Sequence, residues 1–460
     1  MNPRLEFPPE EMRRMGYRVV DMIVEHLSTL GEQPVGAKGY PKELLTDVGE
    51  PPPEEGARFD DLLRDLQQRV LHNTMHVNHP RFFAYVPGPS NYVGALADAI
   101  ISGYNVFAGT WIGGSGAAAV ELETIDWLRQ ICGLPATAGG LFVSGGTMAN
   151  LLGLAVARNR PPNPTIYFSD QTHSSLEKAL RVLGVPPERV REIPSDDAYR
   201  LPLAALERAV AADRTANLHP FWVVANAGTT NTGAVDPLPE LAAFCRREGL
   251  WLHVDGAYGA ASAVCERGRA ALRGMELADS LSLDPHKWLF QPFETGCLLV
   301  RDAAVLREMF NVHPEYLQDT QQHSDEVNFT EAGLQLTRSF RALKLWLSVK
   351  TFGMASFRAA IEHGFGLAEL AESRLRAMPE WEVVTPAQMA IVCFRRRGAD
   401  DAFHLKLVDL GVRDGYSLIT STVLKCGTVL RVCPINPRTT EADIEKSLDR
   451  LDRLARELKS

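Results

Sequence analysis

The sequence predicts an α/β fold: a large domain on a mostly parallel sheet covered by helices, a smaller C-terminal α+β domain, and a helical N-terminal segment. Three observations predict it. Between about residues 140 and 300, short apolar runs end in polar or glycine-rich turns and are followed by helical patterns. Strands alternating with helices at this spacing form largely parallel sheets covered on both faces. Polar residues cluster just after those runs, where open parallel sheets bind ligands. Beyond about residue 340 a long helical pattern gives way to alternating strand and helix signals, as in a smaller α+β domain.

Taken in order, residues 10–30 place Met12, Met15, Val19, Met22, Ile23, His26 and Leu27 near helical spacing, and residues 60–71 repeat the pattern after Pro51-Pro52-Pro53. Two helices joined by an extended arm cannot bury their apolar faces alone, so this segment is expected to pack on the rest of the chain or, the favoured reading, on a second copy of it. A strand over 140–143 leads into Ser144-Gly145-Gly146-Thr147 and a helix over about 148–158. Further strands at 165–168, 221–225, 250–254 and 280–283 lead into Ser169-Asp170-Gln171-Thr172-His173, Gly228-Thr229-Thr230, Asp255-Gly256-Ala257-Tyr258 and Asp284-Pro285-His286-Lys287. A helix from Thr337 or Phe340 to Phe352 precedes strands at 381–384, 391–394 and 429–433. The domains expected are a helical dimerisation segment over 1–80, a large domain over 81–343 and a small one over 344–460.

Composition excludes several functions. With 48 basic against 57 acidic residues the net charge is −9, and no basic run exceeds Arg395-Arg396-Arg397, so a phosphate-neutralising nucleic-acid face is not expected. The N-terminus lacks the apolar core of a secretory signal, and the apolar window 92–120 is broken by Asp98 and glycines, so neither export nor a membrane anchor is expected. Seven cysteines without a C-x-x-C pair suit buried thiols in a reducing cytoplasm.

Three simple motifs fail. Gly114-Ser115-Gly116-Ala117-Ala118-Ala119 matches G-x-G-x-x-A, but the acidic residue that a dinucleotide site needs about 20 positions on is missing. His72, His76 and His79 have neither a glutamate base nor a fourth ligand beside them, and no metal site is expected. No G-x-S-x-G elbow is present.

What remains is a set of residues at successive strand ends. Ser144-Gly145-Gly146-Thr147 opens a helix, whose N–H groups and dipole suit a phosphate. Asp255 ends one strand, and Lys287 follows the next in an apolar flank, Trp288-Leu289-Phe290, expected to favour its free amine. Together with His173 these residues specify pyridoxal 5'-phosphate. A lysine binds that cofactor covalently, a carboxylate keeps its pyridine nitrogen protonated, and its phosphate needs an N–H cradle.

The chain also resembles the pyridoxal-phosphate-dependent group II decarboxylases of fold type I, aromatic-L-amino-acid decarboxylases above all. The resemblance is carried by Pro80-Arg81-Phe82-Phe83-Ala84-Tyr85, Glu121-Leu122-Glu123, Ser169-Asp170-Gln171-Thr172-His173-Ser174-Ser175, His253-Val254-Asp255-Gly256-Ala257-Tyr258, Asp284-Pro285-His286-Lys287-Trp288 and Arg338-Ser339-Phe340-Arg341-Ala342-Leu343-Lys344. It implies that Lys287 carries the cofactor, Asp255 faces the pyridine nitrogen and His173 stacks on the ring. It further implies that Gly146, Thr147 and His286 bind the phosphate, while Thr230 and Ala257 line the ring. Tyr316, in Pro314-Glu315-Tyr316-Leu317, matches the loop tyrosine that protonates the substrate carbon after carbon dioxide leaves. Relatives that make aldehydes with oxygen typically carry phenylalanine there or replace the stacking histidine, so Tyr316 and His173 together favour simple decarboxylation. Arg338 and Arg431 match family arginines, either catalytic or bracing. The resemblance also implies a homodimer with shared active sites, a partner's Phe107 and Leu336 reaching across.

By the same resemblance the substrate pocket comprises Val77, Tyr85, Val86, Pro87, Phe107, Gly109, Leu336 and Thr337. Val77 and Gly109 stand where tryptophan and phenylalanine are common, which suggests room for an indole, whereas Thr337 leans towards a phenol. Asp284 replaces a frequent asparagine and sets a carboxylate near the phosphate, which is costly unless it is paired or points away. The expected reaction is decarboxylation of aromatic L-amino acids, tryptophan, tyrosine, phenylalanine or DOPA, to arylalkylamines. The alternatives are a decarboxylation-dependent aldehyde synthase, a transaminase, a cofactor-binding regulatory module and a phosphate-binding scaffold.

Overall fold

The computed structural model describes residues 5–157, 160–312, 323 and 325–458. Its first part is helical: α1 (Pro9–Thr29), α2 (Pro41–Val48) and α3 (Phe59–Asp65), the last continuing through a π turn and a 3-10 turn to Asn73. The stretch expected to be an extended arm thus holds α2, started by Pro41, whose missing N–H costs nothing in a first turn. No residue of α1 is buried, and Met12, Tyr17, Val20 and Val24 are exposed in the single chain. The segment is anchored at its end instead. Arg81 donates to the carbonyls of Gly31, Gln33 and Tyr416, and the Val35 N–H to that of Gly415.

Helices α4 (Tyr92–Tyr104) and α5 (Trp111–Ile131) lead to a seven-stranded sheet. Its strands are β1 (Gly139–Val143), β2 (Pro164–Ser169), β3 (Val190–Ile193), β4 (His219–Asn226), β5 (Trp251–Asp255), β6 (Ser280–Leu283) and β7 (Gly296–Val300). They lie in the order β1-β7-β6-β5-β4-β2-β3. Strands β2 to β6 pair in parallel, but β7 runs antiparallel to both β1 and β6. The sequence reading omits β3 and β7. In the case of β7, a fully buried Gly-Cys-Leu-Leu-Val run shows no alternation to betray a strand. Helices α6 (Gly146–Ala155), α7 (Ser175–Val182), α8 (Leu203–Thr215), α9 (Leu238–Glu248), α10 (Glu266–Ala271) and α11 (Ala304–Phe310) complete this region. α6 starts earlier than predicted because the Gly145 carbonyl already accepts from Met148 and Ala149.

The long helix α12 (Ala342–Ala377) runs well past Phe352, the predicted end. Gly353 sits inside it at φ +73°, a conformation glycine adopts without strain, and the helix kinks there rather than stops. Beyond it, β8 (Trp381–Gln388), β9 (Ile391–Arg396), β10 (Thr420–Leu424) and β11 (Gly427–Val432) form a second, antiparallel sheet in the order β10-β11-β9-β8. It carries α13 (Asp401–Asp414) and α14 (Glu441–Glu457); β10 was not predicted. The two sheets meet through buried contacts. Tyr258 stacks on Trp288 at 5.0 Å, and its hydroxyl donates to the Met389 carbonyl in the turn between β8 and β9. Among the described residues no helix is long and apolar enough to cross a membrane.

Candidate active site

The carboxyl ends of β1, β4, β5 and β6 open on one cavity of about 400 Å³. Its wall includes Ser144 to Met148, His173, Gly228 to Thr230, Asp255, Ala257, Asp284, His286 and Lys287, so residues far apart in the chain converge as the strand-end pattern predicts. Each predicted catalytic or cofactor residue within the described chain borders this space. Tyr316 lies outside the described residues.

The first turn of α6 forms one wall. No side chain caps this helix, which leaves its leading N–H groups for a ligand. The wall is tight as well as polar: a Cβ on Gly146 would lie 2.9 Å from both Ala257 Cβ and Asp284 Oδ2, and one on Gly296 would lie 2.4 Å from Gly145 Cα. An uncapped helix start lined by glycines offers free N–H groups and the positive end of its dipole, which suit an anion such as a phosphate.

Asp255 closes the cavity at the end of β5 with three donors on its carboxylate. Ala257 N–H and Ser282 Oγ reach Oδ1 at 3.1 Å each, and Asn150 Nδ2 reaches Oδ2 at 2.9 Å. Burial alone would raise this carboxyl's pKa. The nearby Lys287 charge and these hydrogen bonds outweigh it and hold the group below the usual carboxylate value. The carboxylate is therefore ionised and suited to a protonated ring nitrogen.

Lys287 does not stand among apolar groups. Its neighbour Trp288 turns into the core between Tyr258 and Phe365, while the lysine Nζ lies 3.0 Å from Asp284 Oδ2. The same oxygen is 3.6 Å from His286 Nε2, and Asp284 Oδ1 is buried with no hydrogen-bond partner. Asp284 is thus paired and points into the cradle. His286 accepts the Thr295 N–H on Nδ1, and burial lowers its pKa against the pull of Asp284. His173 likewise accepts the Ser175 N–H on Nδ1 at 3.2 Å, which leaves Nε2 to face a ligand.

Both arginines are spent on structure. Arg338 grips Glu121 at 2.6 Å and the carbonyls of Ala108 and Phe142, all buried. Arg431 donates to the carbonyls of Tyr85, Thr230 and Asn231, and so fixes the loop that carries Thr230.

The predicted substrate-pocket residues stand apart from this cavity in the single chain. Val77 borders a neighbouring hollow of about 370 Å³ with His76, Gly88 and Phe293, and Phe293 stands edge-on to His286 at 5.1 Å. Tyr85 is exposed at φ +54°, Val86 is half-buried and Pro87 is buried. Phe107, Gly109 and Leu336 form a separate cluster. A Cβ on Gly109 would meet the Phe107 ring at 2.5 Å and the Leu336 carbonyl at 2.7 Å, so the missing side chain opens no space there. Leu336 and Thr337 are exposed. His72, His76 and His79 do not share a helix face, and the described residues contain no group of metal-ligating side chains.

Sequence reasoning missed Asn150, Ser175, Asn226, Tyr258 and Glu294 in the cavity wall, and Phe293 beside it. Asn150 had a signal, as an amide within the apolar Gly-Thr-Met-Ala-Asn-Leu-Leu-Gly-Leu-Ala of α6.

Residues 41–397 match the pyridoxal-dependent decarboxylase conserved domain. The chain is 46% identical to an aromatic-L-amino-acid decarboxylase of Bacillus atrophaeus, over 100% of this chain and 98% of the relative. It is 31% identical to a phenylacetaldehyde synthase of Arabidopsis thaliana, over 95% of this chain and 94% of that one. Among solved structures, the TDC of Oryza sativa with PLP and tryptamine superposes with a TM-score of 0.93 at 29% identity, covering 99% of this chain and 100% of the other.

Proposed function

The chain belongs to the pyridoxal-dependent decarboxylase family, and from that premise we infer the part its residues play in the decarboxylation of aromatic L-amino acids. It is a pyridoxal-phosphate enzyme of fold type I that releases carbon dioxide and the arylalkylamine. The observation that carries the residue roles is the single cavity where Lys287, Asp255, His173 and the start of α6 converge.

Gly146, Thr147 and His286 hold the phosphate. Asp255 holds the proton on the pyridine nitrogen, and His173, Thr230 and Ala257 enclose the ring. The bound cofactor supplies an electron sink for the pair left behind when carbon dioxide departs. Lys287, whose Nζ faces the cavity, would hold the cofactor covalently and supply the amine that competes with the substrate's and the product's for it. The surrounding walls orient the substrate, and that orientation selects which bond at Cα breaks. Tyr316 delivers a proton to Cα, with His173 assisting. Val77, Tyr85, Val86, Pro87, Gly109 and Thr337 border the side chain of the substrate, with Phe107 and Leu336 of a second copy completing the pocket.

A homodimer follows from the same reading. The exposed apolar residues of α1 and of α4, among them Leu96, Ile100 and Tyr104, are faces that a second copy would cover. The division at 1–80, 81–343 and 344–460 accords with a helical arm and two sheets of separate sequence. Seven free cysteines, six of them buried, suit a cytoplasmic setting.

The test is incubation of cofactor-loaded protein with tryptophan, tyrosine, phenylalanine and DOPA while amine, aldehyde and dissolved oxygen are followed together. Amine without oxygen uptake is expected. Aldehyde with oxygen uptake would make the chain an aldehyde synthase instead. Lys287→Ala should abolish turnover and the absorption of lysine-bound cofactor, and Tyr316→Phe should shift product from amine to aldehyde.

A further inference from the structure

Asp255 ends a line of buried polar side chains that the roles above leave unused. Trp251, His253 and Asp255 alternate along β5 with Leu252 and Val254, and so share one face of the strand. In the parallel register with β6, His253 lies beside Ser280 and Asp255 beside Ser282. α6 covers this face, and Gly153 lets it come close: a Cβ there would lie 2.7 Å from the His253 ring. Along the line, Trp251 Nε1 lies 2.9 Å from Ser280 Oγ, Ser280 Oγ 2.8 Å from His253 Nδ1, and His253 Nε2 3.0 Å from Asn150 Oδ1. Asn150 Nδ2 then donates to Asp255 Oδ2 at 2.9 Å and to Ser175 Oγ at 3.0 Å. Asn150, His253 and Ser280 are each at most 2% exposed.

Chemistry gives this line one direction. An ionised carboxylate only accepts, so Asn150 turns its amino group to Asp255 and its oxygen to His253. That oxygen also only accepts, so His253 carries its proton on Nε2. Burial pushes the imidazole down to about 4 despite Asp255, which leaves it neutral with Nδ1 as an acceptor. Ser280 therefore gives its hydrogen to Nδ1 rather than to the Gly153 carbonyl at 3.2 Å, and receives one from Trp251. Every donor points towards Asp255.

We propose that His253, braced by Ser280 and acting through Asn150, is the positioning residue that keeps Asp255 an acceptor-only carboxylate, so that the cofactor's pyridine nitrogen retains its proton. Each donor on Asp255 favours its charged form, and a proton on the Oδ2 lone pair that Asn150 occupies would require Asn150 to turn over, His253 to change tautomer and Ser280 to rotate, so the line favours the carboxylate as a unit. The proposal rests on the reading of Asp255 as the partner of that nitrogen.

The test uses holoenzyme loaded with pyridoxal phosphate labelled with nitrogen-15 in the ring, whose chemical shift reports protonation, alongside kcat and KM. His253→Phe should move the signal towards the unprotonated nitrogen and lower kcat by roughly tenfold, the equivalent of one pKa unit, with a smaller change in KM. His253→Gln, which can donate to Asn150 and accept from Ser280, should restore both. Ser280→Ala is the milder probe if the phenylalanine variant does not fold, and it should move the signal the same way. A protonated nitrogen and full kcat in whichever of His253→Phe and Ser280→Ala folds would overturn the proposal and leave the line a matter of packing. Asp255→Asn separates the two readings: if it too leaves the nitrogen signal unchanged, the assignment of Asp255 itself fails.

Discussion

At Asp284 two demands conflict within one side chain. Its Oδ2 lies 3.0 Å from Lys287 Nζ and borders Gly146 in the cradle proposed for a phosphate dianion, yet its Oδ1 is buried and unpartnered against Gly296. A carboxylate and a phosphate held at one cradle would repel in a medium poorer in water than the surface. Asp284→Asn removes the repulsion and adds an N–H donor, so it should tighten cofactor binding by roughly tenfold, the worth of one pKa unit of interaction. Titration of the cofactor-free protein by fluorescence measures this. Weaker binding would mean that Asp284 matters through its grip on Lys287. The aspartate was plain in the sequence; that one of its oxygens meets Lys287 while the other is left unpartnered was not, because β7 brings Gly296 against it.

Single elements depend on a few buried bonds between distant residues. Arg338 and Glu121 meet with side chains at most 1% exposed, and between them they bind the Ala108 carbonyl and both backbone groups of Phe142 in β1. Removing one member of such a pair leaves a buried charge without compensation. Arg338→Met should therefore lower stability by about 3–5 kcal/mol, read from urea unfolding. A loss within about 0.5 kcal/mol, the range of surface changes, would show that Glu121 finds another partner. The elements that position Lys287, Asp255 and His173 were legible because each side chain follows an apolar run of strand length. β3, β7, β10, α2 and the second half of α12 were not legible. A short buried run is ambiguous by itself, and only the approach of a neighbouring strand or a tolerant glycine such as Gly353 decides its form.

For the whole molecule, buried histidines set a limit at acid pH. Burial pushes His79 and His253 from 6.5 down to about 4, with Arg81 adding to the effect at His79. Between those values the unfolded chain binds protons that the folded chain refuses, so stability rises with pH across that window. It is fully present above 6.5 and is lost as the pH falls towards 4. Thermal midpoints should fall steadily between about pH 7 and pH 5, and His79→Gln should flatten that dependence. A midpoint indifferent to pH over this range would mean that neither imidazole is held neutral. Such measurements belong with a determination of mass in solution, where a dimer would account for the uncovered apolar face of α1.

The sequence by itself determined the α/β class, the strand ends that bear Lys287, Asp255 and His173, and the family they resemble, because these rest on local periodicity and on residue types with one chemical use. Only the tertiary structure decided that β7 runs antiparallel between β1 and β6, that Asp284 rather than an apolar wall meets Lys287, and that Asn150 and His253 stand behind Asp255. Those outcomes depend on which distant segments come within hydrogen-bond reach. Pairing across a sheet and packing against a helix fix that distance, and no local run of residues encodes it.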